Sequence, residues 1–102
     1  MEHTLNYKNP PSYSSYKKGA MSRHLAFSLT KEEFANISMK NCVYCGCKGP
    51  NGIDRINNTK GYSNENCVPA CKHCNYAKGN LSSKDFYTWL KRIINFNKNL
   101  LD

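Results

Sequence analysis

The sequence lacks any long apolar run. Its N-terminus (Met1-Glu2-His3-Thr4-Leu5) has no apolar stretch of the kind found in secretory signal peptides. Its longest apolar segments are far too short to cross a bilayer. We therefore expect a cytoplasmic protein without a membrane partner. A large core is excluded as well, because 39% hydrophobic residues in a chain of 102 cannot bury one.

The chain does have six cysteines, all within about a third of its length. In a reducing compartment clustered cysteines hold metal more often than disulfides, and disulfide pairing is the alternative. Two Cys-x-x-Cys pairs are separated by residues 46–70. A two-residue gap lets both thiolates of a pair turn toward one ion, and two pairs complete a tetrahedron. We therefore predict a structural Zn²⁺ site formed by Cys42, Cys45, Cys71 and Cys74.

The other two cysteines, Cys47 and Cys67, are not assigned by this spacing. Each could be a spare thiol, a packed core residue or a substitute ligand. Gly46 directly follows the first pair and allows the tight turn of a zinc knuckle. His73 lies between two ligands, so we expect its side chain to point away from the ion.

Acidic side chains are scarce, since 7 Asp and Glu stand against 15 Lys and Arg for a formal charge of +8. Four zinc-bound thiolates would add four negative charges and the ion two positive ones, which leaves a net charge of about +6. A basic surface releases counterions from phosphates and so favours a nucleic-acid partner, although charge alone also fits a merely soluble surface. The residues expected to contact DNA are Lys17, Lys18, Arg23, Lys60 and Lys78.

Composition and hydrophobic spacing predict a flexible basic arm over residues 1–12 and one domain over 13–102. Within the domain we expect a helix over 12–25, a capping box at Thr30 and Glu33 that opens a short helix, and a strand at Ile53–Ile56. Tyr62 is expected to begin the return strand. Further helices are predicted from Cys71 to near Gly79 and after Ser82 and Ser83, the latter carrying Phe86, Trp89, Leu90, Ile93 and Ile94 at helical spacing.

The order of residues around the two cysteine pairs is more specific than the pairs alone. Cys-x-x-Cys-Gly is followed by Gly52-Ile53-Asp54-Arg55-Ile56, then Gly61-Tyr62 and Asn66, then Cys71-x-x-Cys74-Asn75-x-x-Lys78. This order resembles the HNH endonucleases of the ββα-metal superfamily, including the phage recombination endonuclease and restriction enzymes with Asp-Arg at this position. The resemblance covers residues 24–94 and is phage-type. A phage-encoded chain would act in the cytoplasm of its host cell.

The resemblance implies a catalytic divalent ion, Mg²⁺ or Mn²⁺, held by the strand aspartate and a helix amide. The matching positions here are Asp54 and Asn75. Such an ion prefers oxygen ligands and neutralises the scissile phosphate. Asn66 matches the central Asn of the motif, which braces the loop in the family.

One position departs from the family pattern, because Arg55 stands where the general base is usually histidine. Arginine stays protonated and cannot serve as a base, but it can hold a phosphate oxygen. The base would then come from elsewhere in the chain. The candidates are Tyr44, inside the first cysteine pair, and His24, upstream of Phe27-Ser28-Leu29; the alternatives are packing of Tyr44 against the knuckle and exposure of His24.

We therefore expect an α+β domain with a treble-clef-like zinc knuckle, a ββα-metal motif and flanking helices. The predicted function is metal-dependent cleavage of DNA. The alternatives are a zinc-dependent DNA-binding module without catalysis, suggested by Arg55, and a zinc-stapled protein-interaction domain, which leaves the positive charge unexplained. One HNH centre cuts one strand, so cutting both would take a homodimer or a second event.

Overall fold

The computed structural model describes residues 12–101. The fold is α+β, as predicted. Apart from Ser12, the predicted N-terminal arm lies outside the described residues. Within the described part of the chain, the elements in order are the helices α1 (Tyr13–Ser22) and α2 (Lys31–Ser38), strand β1 (Gly52–Arg55), a 3₁₀ turn (Asn64–Asn66), strand β2 (Cys67–Ala70), and the helices α3 (Lys72–Lys78), α4 (Ser83–Phe96) and α5 (Lys98–Leu101).

Helices α1 and α2 both begin at side-chain caps. Ser12 accepts a hydrogen bond from the Ser15 amide at 3.2 Å, and Thr30 and Glu33 form the predicted capping box. Helix α1 is shorter than the predicted span of 12–25. It ends at Ser22 because the chain turns at His24, whose φ of 58° does not continue a helix.

The two strands pair antiparallel, with Gly52 opposite Ala70 and Arg55 opposite Cys67. The predicted strand is therefore confirmed but begins one residue earlier. The alternation of apolar and charged residues over Ile53–Ile56 is typical of a strand with one buried face, yet Gly52, Ile53 and Asp54 are all buried. Both faces are covered because α2 lies against the sheet as well as α3, a contact that alternation along one strand does not predict.

The return strand begins at Cys67 and not at Tyr62, which corrects the sequence-based expectation. Tyr62 instead forms an isolated parallel bridge with Phe27, in which its amide donates to the Ala26 carbonyl at 2.8 Å. Gly61 permits this approach, since a Cβ there would clash with the Ala26 backbone. The segment before α2 thus pairs with the loop between the strands.

Two small cores lie on either side of this framework. The larger core packs α1 and α2 against one face of β1 and contains Ala20, Leu29, Phe34, Ile37, Ile53, Tyr62 and Cys67. The smaller core is formed by the cysteine-rich segment and the end of β2, and contains Cys42, Cys47, Ala70 and Cys71.

Helix α4 is present as predicted, but its apolar stripe is largely exposed. Phe86 is buried, whereas Trp89, Ile93 and Ile94 are 47%, 38% and 51% exposed. No helix in the described part of the chain is long and apolar enough to cross a membrane.

Candidate metal centre and active site

The four predicted zinc ligands converge at one point of the structure. The sulfur atoms of Cys42, Cys45, Cys71 and Cys74 all lie within 4.8 Å of one another, and Cys45 Sγ is 3.7 Å from Cys71 Sγ. A tetrahedron with Zn–S distances of about 2.3 Å has edges of about 3.8 Å. The thiol group therefore fits a structural Zn²⁺ in both donor chemistry and spacing.

Backbone geometry closes the knuckle turn and prepares the Cys42 thiol for metal. Gly46 adopts a φ of 79°, which lets its amide donate to the Cys42 carbonyl at 2.9 Å and closes the knuckle turn. Burial tends to raise the pKa of Cys42, but hydrogen bonds from the backbone of Cys45 and Cys71 lower it to about 7. The thiolate needed for zinc binding is thus accessible near neutral pH.

The structure gives the two unassigned cysteines different surroundings. Cys67 is buried in the larger core, where burial raises its pKa to about 11, so it is a packed core residue. Cys47 is buried in the smaller core beside the four ligands, and its thiol lies 3.5 Å from Asn51 Oδ1. Neither belongs to the group of four thiols that can hold the ion.

Asp54 lies on β1 beside the knuckle and is 7% exposed. The Tyr44 hydroxyl donates to Asp54 Oδ2 at 2.6 Å. Ser83 Oγ is 2.7 Å from the same hydroxyl, and because the phenol proton points at Asp54, Ser83 is the donor in that bond. Phe86 packs edge-on against the Tyr44 ring at 5.2 Å between centroids. The knuckle and the first turn of α4 therefore orient one carboxylate oxygen.

Lys78 orients the other carboxylate oxygen, which corrects its predicted role in DNA contact. Its ammonium donates to Asp54 Oδ1 at 3.1 Å and to the Arg55 carbonyl at 3.0 Å, and the residue is 1% exposed. It cannot reach a phosphate from this position. The Asn75-x-x-Lys78 spacing was a usable signal, because residues three apart share a helix face.

Asn75, the other predicted ligand of the divalent ion, also faces β1. Its side-chain nitrogen donates to the Ile53 carbonyl at 3.1 Å, and its oxygen accepts none of the hydrogen bonds found among residues 12–101. A carboxylate and an amide oxygen are the donors that Mg²⁺ or Mn²⁺ prefers. Asp54 and Asn75 fit such an ion in donor chemistry, and the Lys78 ammonium donates to one oxygen of the same carboxylate.

Arg55 and Asn66 both hold the loop between the strands. Arg55 Nη1 donates to the carbonyls of Asn58 and Lys60 at 3.0 and 2.8 Å, and its guanidinium lies 5.4 Å from the centre of the Tyr62 ring. Buried Asn66 donates to the carbonyls of Asn57 and Gly61 and accepts from the Asn57 amide. The structure therefore places Arg55 as a loop brace, and its contact with phosphate stays a prediction.

The two candidate bases lie in different surroundings. His24 is exposed at the end of α1, and the side chains bonded to the Asp54 carboxylate are those of Tyr44 and Lys78. Burial, followed by the hydrogen bond to Asp54, raises the pKa of Tyr44. The Tyr44 hydroxyl is therefore a hydrogen-bond donor to Asp54 in this arrangement, and the structure does not bring His24 to the same carboxylate.

Comparison with solved structures identifies the architecture. The rare-cutting HNH restriction endonuclease PacI matches with a TM-score of 0.65 at 20% sequence identity, over 97% of this chain and 90% of that one. The fold resembles that of an HNH endonuclease. This confirms the predicted α+β arrangement with its cysteine knuckle.

Sequence comparison adds one viral relative. Uncharacterized protein R423 of Acanthamoeba polyphaga mimivirus is 43% identical over 100 residues, which is 93% of this chain and 19% of that protein. The chain thus spans about a fifth of the length of the curated relative it matches. No protein-family model matches the chain.

Proposed function

We propose that this chain is a metal-dependent DNA endonuclease with its centre at Asp54. The observation that carries the proposal is the buried carboxylate of Asp54, to which the knuckle, α3 and α4 all bring polar side chains. Buried ionisable groups with specific partners are concentrated at catalytic sites. The HNH-endonuclease-like fold and the formal charge of +8 favour DNA as the substrate.

In this proposal the two metals have separate roles. Zn²⁺ at the four cysteines holds the knuckle. Mg²⁺ or Mn²⁺ at Asp54 and Asn75 supplies positive charge for the scissile phosphate and the leaving oxygen when bound. Tyr44 and Ser83 fix the direction of the Asp54 carboxylate. A shallow cavity of about 160 Å³ lies beside Tyr44 and Ser83, and it is lined by Val43, Tyr44, Ile56, Val68, Ser83 and Tyr87.

The proton acceptor for the attacking water is tested by substitution of the two candidates. His24→Ala should cut at close to the parental rate, because the exposed imidazole is not bonded to Asp54. Tyr44→Phe should lower the rate by loosening Asp54 while leaving the pH–rate profile in place. Substitution of the general base would instead remove one limb of the pH–rate profile. Loss of a limb in either variant would therefore identify the substituted residue as the base.

Plasmid nicking with and without added Mg²⁺ tests the activity itself. The zinc-loaded chain should nick only with Mg²⁺ or Mn²⁺, and Asp54→Ala should lower the rate by roughly 10²-fold or more. Glu65→Ala is the matched control, since it also removes one negative charge, from an exposed position in the 3₁₀ turn. Equal rates for the two variants would rule out Asp54 as the centre.

The second candidate is a DNA-binding module without catalysis. It is favoured by the fact that both Asp54 oxygens have partners within the chain and that Arg55 replaces the usual histidine. Salt-dependent DNA binding without nicking, on any form of DNA and with any divalent ion, would establish this function. DNA binding that is indifferent to salt would point to a protein partner.

A further inference from the structure

Lys78 is the one lysine that the described part of the fold buries. Its side chain is 0% exposed and forms, with Asp54, the single ion pair among residues 12–101. Lysine is almost never fully buried unless it is paired. The bonds of the Lys78 ammonium with Asp54 and the Arg55 carbonyl therefore offset the cost of burying its charge. The Lys78 ammonium is therefore bonded to the same carboxylate that is proposed above as a ligand of the divalent ion.

We propose that Lys78 is the resident cation of Asp54 and that a divalent ion reaches this carboxylate only by displacing the Lys78 ammonium. The inference rests on the proposed function for its choice of metal ligands. Tyr44 occupies Oδ2 at 2.6 Å and Lys78 occupies Oδ1 at 3.1 Å. A doubly charged ion on Oδ1 would meet the ammonium at close range in a poorly solvated site, where like charges repel strongly.

The position of Lys78 in the chain makes displacement feasible. It is the last residue of α3, and the helix ends at Gly79, so the ammonium can withdraw by rotation of its long, flexible side chain at the helix end. Asn75, one turn earlier, is tied to the Ile53 carbonyl and stays in place. The arrangement acts as a lock that keeps Asp54 paired with Lys78 until a divalent ion outcompetes the ammonium.

The proposal is tested by titrating the zinc-loaded chain with Mn²⁺ in the absence of DNA. Binding is measured as the loss of the EPR signal of free Mn²⁺. Lys78→Met should bind Mn²⁺ at least tenfold more tightly than the parent, because removing the cation leaves Asp54 unopposed. Lys72→Met is the matched control, since Lys72 is an exposed residue of the same helix, and it should change the affinity by less than twofold. Equal affinities for Lys78→Met and the parent would overturn the proposal.

A second measurement needs no variant and covers the case in which Lys78→Met does not fold. Reductive methylation with mass mapping should leave Lys78 protected in the parent, while Lys72 reacts. Saturating Mn²⁺ should increase the labelling of Lys78 and leave that of Lys72 unchanged. Continued protection of Lys78 at saturating Mn²⁺ would show that the ion binds without displacing it and would also overturn the proposal.

These measurements separate the inference from the proposed function. If Lys78→Met binds Mn²⁺ more tightly than the parent but the parent never nicks DNA, the displacement of Lys78 is supported and the nuclease function is excluded. If the parent nicks DNA with Mg²⁺ but Lys78→Met has the same Mn²⁺ affinity, the nuclease function is supported and the displacement is excluded.

Discussion

Replacing Arg55 by alanine distinguishes a loop brace from a phosphate clamp. In the structure its guanidinium donates two hydrogen bonds, to the carbonyls of Asn58 and Lys60, and stacks over the Tyr62 ring. All three contacts hold the connection between β1 and β2. If they are the main task of Arg55, the substitution should lower the free energy of unfolding even in the absence of DNA.

The magnitude follows from these contacts. A hydrogen bond from a charged donor contributes about 1.5–3 kcal/mol when well shielded, and the partial exposure of Arg55 reduces each of the two to about 1 kcal/mol. A cation–π contact at a solvent-accessible site adds about 0.5–1 kcal/mol. The expected loss is therefore about 2–3 kcal/mol. For a domain of this size each kcal/mol shifts the Tm by roughly 4–8 °C.

Urea unfolding of the zinc-loaded parent and variant measures this loss. Lys60→Ala is the matched control, because it also removes one positive charge but keeps the backbone carbonyl that accepts from Arg55. A phosphate clamp predicts a different result, namely unchanged stability and a reduction of about one in the slope of log affinity against log salt. An Arg55→Ala variant as stable as Lys60→Ala would refute the loop-brace assignment.

Three further outcomes are expected. Zinc removal by a strong chelator, or Cys71→Ser, should unfold the chain, so a cooperative melt and helical circular dichroism that persist after verified zinc loss would contradict a structural zinc site. DNA affinity should fall steeply with salt, and substitution of exposed Lys17 and Lys18 by alanine should lower that slope by about two, whereas Asp54→Ala should bind at least as tightly as the parent. Burial raises the pKa of Tyr16 to about 12, so its contribution to stability is present below pH 10 and is lost as the pH rises toward 12. Tyr16→Phe should therefore lose less stability than the parent between pH 8 and pH 12 in urea titrations.

The parts of the fold that depend on local spacing were predictable from the sequence. Two Cys-x-x-Cys pairs specify a tetrahedral group because each pair needs only one turn to present two sulfur atoms. Thr30 and Glu33 specify a helix start because the capping box is complete within four residues. At positions of this kind the interacting residues lie within a few positions of each other in the sequence.

The parts that depend on distant partners were not predictable. Tyrosine is common in strands, but the backbone of Tyr62 pairs with Ala26 and Phe27, which lie outside the β1–β2 hairpin. Lysine is usually a surface residue; the spacing from Asn75 indicates which helix face Lys78 shares, but its burial follows from a carboxylate 24 positions earlier in the chain. Propensity and charge say nothing about such pairings, so the ion pair at the centre of the candidate site emerged only from the tertiary structure.

The placement of Tyr44 between Cys42 and Cys45, two of the four cysteines that can hold zinc, has a thermodynamic consequence. The same turn that presents Cys42 and Cys45 to the ion aims the tyrosine hydroxyl at Asp54. Any molecule that binds better when this hydroxyl is in place must, by reciprocity, raise the affinity of the cysteines for zinc by the same factor. Zinc would then have a higher equilibrium affinity for the DNA-bound protein than for the free protein, and the concentration of available zinc would set how much of the chain is competent to bind.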